Sequence, residues 1–451
     1  MALGKRRGKR QQELWIAADA VARSPRHVFY EKLNRLLAQA EFDAWVEALC
    51  RPYYAAEGRR SIPPGVYFRM LLIGYFEGID SQRGIAWRCA DSLSLKEFLG
   101  YSLTERAPDH SSLTKIRQRL PLEVYQEVFQ FVLQLVEKHK LLVAKEVGVD
   151  STTLEANAAM KSIVRKDTGE DWQTYVTRLM QEEGLVDPDA TPSAEELQRF
   201  DRKRKGKKVS NDEWESPADP QARIARMKDG RTRLAYKAEH VVDLRSEAIL
   251  AAEVYTADEA DTATLVPSLE QAQQNLDTTE SGRFVEKAAA DKGYHAIETL
   301  VACQELDLVG VKTYIPEPAG KRRWADKTEE EKAAVLNNRA RTKRAYGKRL
   351  QRKRSELVER SFAHVCDTGG GRHSWLRGVE NVRKRHLLLA AAHNLGLILR
   401  KLLGAGKPRA FWALWQLLRL FQNVLLTLRA ILDTLRTAKL YLRACASPAQ
   451  I

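Results

Sequence analysis

Three carboxylates stand out by where they fall in the chain. They are Asp150 in Val147-Gly148-Val149-Asp150-Ser151-Thr152, Asp291 in Ala289-Ala290-Asp291-Lys292-Gly293-Tyr294, and Glu359 in Leu357-Val358-Glu359-Arg360-Ser361-Phe362. The first two close apolar runs that read as buried strands, and the third lies in an arginine-rich helical stretch. A carboxylate at the end of a core strand is costly to desolvate unless positive charge offsets it. Oxygen donors of this kind suit hard divalent cations such as Mg²⁺. Two such ions, about 3.5–4 Å apart, activate a water and steady a leaving oxyanion, which is what cutting a phosphodiester requires. One acid bridging both ions and one more for each is the minimal set. Asp150, on the stiffest support, is the expected bridge. Glu356, one helical turn before Glu359, is the alternative third acid. Taken singly, each acid has an ordinary use: Asp150 in a cap, Asp291 in a turn, Glu359 in a surface pair with Arg352 or Arg360. Only their joint placement points to chemistry.

The elements that must hold these acids follow from periodicity. Residues 28–140 read as helical throughout. Phe29, Leu33, Leu36, Leu37 and Ala40 mark one buried helix face. Pro63 and Pro64 open a helix that ends near Gly78, and Asp80 or Ser81 is placed to cap the next. Pro108-Asp109-His110-Ser111-Ser112 introduces a helix whose Lys115 and Arg119 share a face, and Pro121 begins another. From Glu146 the pattern changes to a strand over 147–153, then a polar stretch over 161–230 containing Arg202-Lys203-Arg204-Lys205-Gly206-Lys207-Lys208. That stretch reads as an insertion or a mobile basic excursion. A hairpin (234–244 and 248–255), a helix (261–276), a strand (284–290), a helix (295–305), a strand (308–315) and a basic helical region follow. This succession predicts an α/β fold, a ribonuclease H-like mixed five-stranded sheet flanked by helices and preceded by an all-α domain.

Composition narrows the partner. The 451 residues carry a formal charge of +15 with a pI near 9.5, which favours a polyanion. Between Lys321 and Arg360 there are 15 Lys/Arg against 6 Asp/Glu. The five cysteines are scattered with no C-x-x-C pair, arguing against a zinc cluster or a disulfide framework and for a reducing cytoplasm. The basic N-terminus lacks an apolar run after it, so no secretory leader is expected. The apolar stretch 410–432 is interrupted too often by polar residues to span a bilayer and reads as a packing or oligomerisation helix. No membrane association is expected.

At these residues the chain resembles the DDE transposases of bacterial insertion sequences, within the broad ribonuclease H-like group. Pro108-Asp109-His110-Ser111-Ser112-Leu113 with Arg117 and Arg119 is similar to the family's N-terminal helical signature. Val149-Asp150-Ser151-Thr152, Tyr236-Lys237-Ala238-Glu239-His240-Val241-Val242-Asp243 and Asp291-Lys292-Gly293-Tyr294 resemble its first-acid strand, following hairpin and second-acid motif. Glu359-Arg360-Ser361-Phe362, with Leu376-Arg377-Gly378 and Ala392-His393-Asn394-Leu395, resembles the third-acid region. One departure is visible: the arginine and lysine the family often carries four residues before and seven after the third acid are here Ser355 and Cys366.

The resemblance implies metal-dependent nicking at the inverted-repeat ends of an element, followed by direct attack of the freed 3′-hydroxyl on target DNA. Asp150, Asp291 and Glu359 would hold two Mg²⁺ ions, with Mn²⁺ as a substitute. Lys115, Arg117, Arg119, Lys292, Arg352 and Arg377 are the expected DNA contacts. Trp375 is expected in the core, with stacking on an unpaired base as its other use. The expected organisation is a basic N-terminus (1–27), a helical DNA-binding domain (28–145), a catalytic domain (146–403) with the 161–230 insertion, and a helical tail (404–451). The protein would act as a homodimer or larger assembly in the bacterial cytoplasm, at the nucleoid. A metal nuclease without strand transfer, and a basic DNA-binding protein without catalysis, are the alternatives.

Overall fold

Apolar spacing and local caps account for the helices that precede the sheet. The computed structural model describes residues 27–408 apart from 56, 59–60, 188, 205–209, 228, 307–309, 321–323 and 325, together with 420–429 and 431. Six helices come first: α1 (Val28–Gln39), α2 (Phe42–Cys50), α3 (Pro64–Glu77), α4 (Gln82–Asp91), α5 (Leu93–Phe98) and α6 (His110–Arg119). Phe29, Leu33, Leu36 and Leu37 are buried on α1, as their spacing predicts. Gly78 ends α3 at φ +70°, a left-handed position that glycine takes without strain. Ser81 caps α4 by accepting from the Gly84 N–H at 3.1 Å, and Asp109 caps α6 by accepting from Ser111 at 2.8 Å.

Contacts divide the chain into two units: residues up to Leu71 with Ser81–Leu120, and Leu72–Asp80 with the chain from Pro121 onward. The first unit is organised around Arg69, only 4% exposed. Its guanidinium is satisfied by both Asp43 oxygens (2.9 and 2.7 Å), Asn34 Oδ1 (2.9 Å) and the Phe98 carbonyl (3.2 Å), tying α3 to α1, α2 and α5. Buried charge of this kind is tolerated because every side of the fork finds an acceptor.

The second unit holds α7 (Leu122–Lys138) and a mixed sheet. Its strands are β1 (Glu146–Glu155), β4 (Arg223–Arg226), β5 (Thr232–Asp243), β6 (Ile249–Thr256), β7 (Lys287–Ala289) and β8 (Lys312–Tyr314). The order is β4-β5-β1-β7-β8, with β6 also paired to β5. The pairings β1–β5, β4–β5 and β5–β6 are antiparallel, whereas β1–β7 and β7–β8 are parallel. This is the expected ribonuclease H-like sheet with β4 added as a sixth strand. The parallel strands are shorter than the apolar runs suggest: β7 begins at Lys287, not Phe284, and 307–309 lie outside the described residues. Helices α10 (Asp261–Asp277), α11 (Ile297–Glu305), α12 (Glu329–Lys343), α13 (Ala345–Phe362) and α14 (Val379–Leu403) cover the sheet.

Helix α14 is long and apolar enough to cross a bilayer, yet most of it is buried against α7 and β6. Asn394 on α14 clamps β6 by accepting from the Ile249 N–H (2.9 Å) and donating to its carbonyl (2.8 Å).

The 161–230 stretch is not the open excursion its polarity suggests. It contains a two-stranded ribbon, β2 (Val164–Arg165) with β3 (Trp214–Glu215), and helices α8 (Trp172–Glu182) and α9 (Ala194–Lys203). Val176, Met180 and Leu197 form a small core with Trp172, Tyr175, Val186 and Phe200 against it. Arg165 stacks over Tyr175 and Trp214. A few well-spaced apolar residues suffice once two helices cross over them, although the composition is mostly charged. Of the basic run, 205–209 lies outside the described residues.

Candidate active site

Strand register brings the first two acids to neighbouring strands. In the parallel β1–β7 ladder Val147 pairs with Ala288 and Gly148 with Ala289. Asp150 and Asp291 each lie two residues beyond that last pair, Asp150 still within β1 and Asp291 past the end of β7. Beyond Ala289 the chain turns, and the Asp291 carboxylate accepts from the Gly293 N–H at 2.6 Å. On β1, Asp150 Oδ1 accepts from the Ser151 N–H at 2.9 Å, and its Oδ2 accepts from Arg354 Nη1 at 2.6 Å.

Arg354 belongs to α13, the helix of Glu359. Leu350 packs with Leu244, Ala289 and Tyr314. Gln351 donates to the Ala290 carbonyl at 3.0 Å and also to that of Tyr314. Phe362 stacks on His240, the cross-strand partner of Asp150, with ring centroids 4.1 Å apart. Gly148 is needed for this approach: a Cβ there would come within 2.8 Å of Val358 Cγ2 and 3.0 Å of Arg354 Cγ.

Glu359 is exposed on the flank of α13. Gln351, Ser355 and Glu359 are spaced four apart and so line one edge of the helix. Ser355 Oγ donates to Glu359 Oε1 at 3.2 Å, and Gln351 at the head of the line touches the residue before Asp291. Glu356 turns the other way, to Arg360, whose second partner is Glu247 at 2.7 Å. The surface pair with Arg360 therefore falls to Glu356, not Glu359. Among the described residues, no three His, Cys, Asp or Glu side chains already stand together as a metal-holding group. The donors nonetheless fit a divalent ion in kind: they are carboxylates on a strand, in a turn and on a helix, and the guanidinium on Asp150 marks where that acid takes a positive partner.

A fourth acid, Asp261, was not singled out by sequence. It is the first residue of α10, and its Oδ1 accepts from Lys237 Nζ (2.8 Å) and Ser151 Oγ (3.2 Å). A Cβ on Gly293 would lie 2.7 Å from Asp261 Oδ2 and 3.5 Å from Asp291 Oδ1. Asp261 thus ties the residue after Asp150 to the turn that carries Asp291. Below it, buried Glu239 accepts from Tyr294 (2.7 Å) and Thr264 (2.8 Å), and its burial pushes its carboxyl pKa up. An isolated acid in a first helical turn is commonplace, so only the contacts identify Asp261. Gly293→Ala should slow cleavage about 10–100-fold, the range for residues that orient a metal-binding acid, with little change in Tm. A wild-type single-turnover rate in that variant would remove the clamp from the account.

The expected DNA contacts are disposed unevenly. Lys292, Arg352 and Arg377 are exposed, as are Lys115 and Arg119 on α6, where Arg119 lies over the Tyr54 ring at 4.5 Å. Arg117 is half-buried, and its Nε and Nη1 are enclosed without a hydrogen-bond acceptor. Trp375 is not a core residue: it is 54% exposed, held by an indole N–H to Asp80 Oδ2 at 3.2 Å and edge-on to His373. Its segment runs beside the end of β1, where Glu155 bridges to His373.

Two family models match the chain. Residues 18–119 match the transposase domain (DUF772), and residues 189–395 match the transposase DDE domain. Together the matches take in about two thirds of the sequence, including the hairpin, Asp291 and Glu359. The chain belongs to the DDE transposases of insertion sequences. No curated protein and no solved structure matches it. Members of this family are metal-dependent enzymes that cleave and transfer DNA, which accords with the transposase's basic composition. Asp150 lies before the DDE match, on β1 two residues past its last pair with β7.

Proposed function

We propose that this transposase cuts at the inverted-repeat ends of its element and joins the freed 3′-hydroxyls to target DNA, with Asp150, Asp291 and Glu359 as the acids that hold two Mg²⁺ ions. The observation that carries the reading is the parallel β1–β7 pairing, which ends at Gly148 and Ala289 two residues before Asp150 on β1 and Asp291 in the turn after β7, with the helix of Glu359 packed against both strands. When bound, the divalent ions lower the pKa of an attacking water and offset charge on the leaving oxygen. The chain supplies position. Asp150 is held by β1 and by Ser151, Asp291 by its own turn, and Glu359 by Ser355. Water attacks the phosphorus and frees a 3′-hydroxyl; that oxygen then attacks a target phosphodiester and expels a target 3′-oxygen.

Phosphates are met by Lys292, Arg352 and Arg377 around the acids, which positions the duplex without reading it. End recognition falls to the helical residues 28–145, where Lys115 and Arg119 share an exposed face. Trp375, with its exposed ring, is suited to stack on a base unpaired by cleavage. Pairing two ends calls for at least two copies. In the tail, Leu420, Phe421, Val424, Leu425, Leu426, Leu428 and Ile431 are all exposed, more apolar surface than a lone helix leaves in water.

The test is strand transfer. Pre-nicked duplexes carrying the element's ends are incubated with a plasmid and Mg²⁺, and joined product is read on a gel. Joined product is expected, with yield falling steeply as salt rises. Cleavage of intact ends with no joining would identify a nuclease instead, and neither product would leave only a DNA-binding protein.

A further inference from the structure

We propose that Arg354 is a built-in counter-ion for the acidic site: it neutralises Asp150 when no divalent ion is bound, competes with that ion, and is drawn off to phosphate when a DNA end arrives. This rests on the reading of Asp150 as a metal-binding acid.

Several observations support it. The Arg354–Asp150 contact is short, 2.6 Å, and both side chains are largely shielded, at 13% and 23% exposed. Shielded pairs are weakened little by salt. The other Asp150 oxygen is already engaged by the Ser151 N–H. A metal ion at about 2.0–2.1 Å from Oδ2 would therefore have to share that oxygen with a guanidinium or displace it. Two cations on one oxygen repel each other, so displacement is the favoured outcome.

Arg354 is also built to be there. Its stem passes across Gly148, and any side chain on Gly148 would meet Arg354 Cγ at 3.0 Å. The guanidinium is nonetheless incompletely satisfied, because its Nε is buried with no hydrogen-bond acceptor. An enclosed donor without an acceptor calls for an explanation, and a second state in which it is better served supplies one. A phosphate offers several acceptor oxygens to the planar fork. Arginine keeps its charge at all working pH values, so the exchange is governed by metal and DNA, not protons.

Mn²⁺ binding to the full-length protein, followed by electron paramagnetic resonance with and without a duplex of the element's end, tests the idea. Arg354→Met keeps a stem over Gly148 and removes the charge; Arg354→Lys keeps the charge and loses the fork. Without DNA, Arg354→Met should bind Mn²⁺ about tenfold more tightly than wild type, within the usual span of coupling between sites, and Arg354→Lys should not. The duplex should tighten Mn²⁺ binding in wild type and have little effect in Arg354→Met. Equal or weaker Mn²⁺ binding by Arg354→Met, with Asp150→Asn still abolishing it, overturns the counter-ion role and leaves the metal site standing. Should Asp150→Asn bind Mn²⁺ as wild type does, the metal site itself is misassigned and the counter-ion role falls with it. If Arg354→Met does not fold, duplex-induced tightening in wild type and in Arg354→Lys decides: absence of tightening in both overturns the proposal.

Discussion

Asp150→Asn should abolish cleavage of element ends, with a loss of at least about 10³-fold, while the protein still folds and still binds DNA. Removing a residue that merely supports a metal-binding acid typically costs about 10–100-fold, and removing the acid itself should cost more. The substitution keeps the size of the side chain and its place on β1, and the Ser151 N–H still has an oxygen to donate to. Arg354 is left facing an amide. The pair is partly exposed, so the stability lost should stay well below the 3–5 kcal/mol of a fully buried ion pair. DNA affinity should hold or rise slightly, since one negative charge leaves a phosphate-facing site. The measurements are single-turnover cleavage, a filter-binding isotherm and a thermal melt on the same preparation. Cleavage within tenfold of wild type would mean that Asp150 is structural.

The second large effect is loss of stability in acid. His240, His386 and His393 are buried between the sheet and α14, and burial drives all three below the ordinary histidine range, His386 and His393 to about 3. His240 Nε2 lies 2.8 Å from His386 Nε2, and its Nδ1 lies 2.8 Å from Ser361 Oγ. The nitrogen–nitrogen contact needs one donor and one acceptor, so it cannot survive protonation of both rings. The sign follows from the direction of the shift. Unfolded histidines take up protons near pH 6.5, whereas folded His386 and His393 resist until about pH 3 and folded His240 is shifted the same way. Stability is therefore whole above pH 6.5 and falls as the pH drops from there toward 3, by about 1.4 kcal/mol per pH unit for each of His386 and His393. At pH 4.5 that is about 3 kcal/mol each, against a total of about 5–15 for a typical domain. Glu239 and Glu253, pushed up by burial, act in the opposite sense, so the histidine part is read by difference. Urea midpoints from pH 7 to 4.5 should fall more steeply for wild type than for His393→Gln. Parallel slopes would sink the assignment.

Much of the site was legible because its supports have strong periodicity. The apolar run before Asp150, the Arg245-Ser246-Glu247 turn between β5 and β6, and the amphipathic spacing of α10 all translate directly into elements. The sheet order then follows from chain order and connection rules. What was not legible depends on contacts across elements. Asp261 is an ordinary helix-start acid until Lys237, Ser151 and Gly293 are seen around it. Counting back four residues from Glu359 arrives at Ser355, while the arginine that reaches an acid is its neighbour, turned about 100° around the helix. Trp375 read as core because large aromatics usually are, but its loop carries it to the surface. Helices α8 and α9 were hidden because a core of so few residues barely registers against a charged background.

The distance in sequence between Asp150 and its partners has a consequence for biosynthesis. β1 pairs with a strand some ninety positions downstream, as in Asp150 with His240, and Asp150 meets Arg354 204 positions on. At about 5–20 residues per second, a ribosome takes about 10–40 s to add that interval. For the first ninety or so of those residues the nascent polypeptide carries its opening strand with neither neighbour, an open edge that invites mispairing and chaperone capture. On the proposed assignment, a product truncated before Glu359 lacks its third acid, so premature termination should leave the host genome uncut.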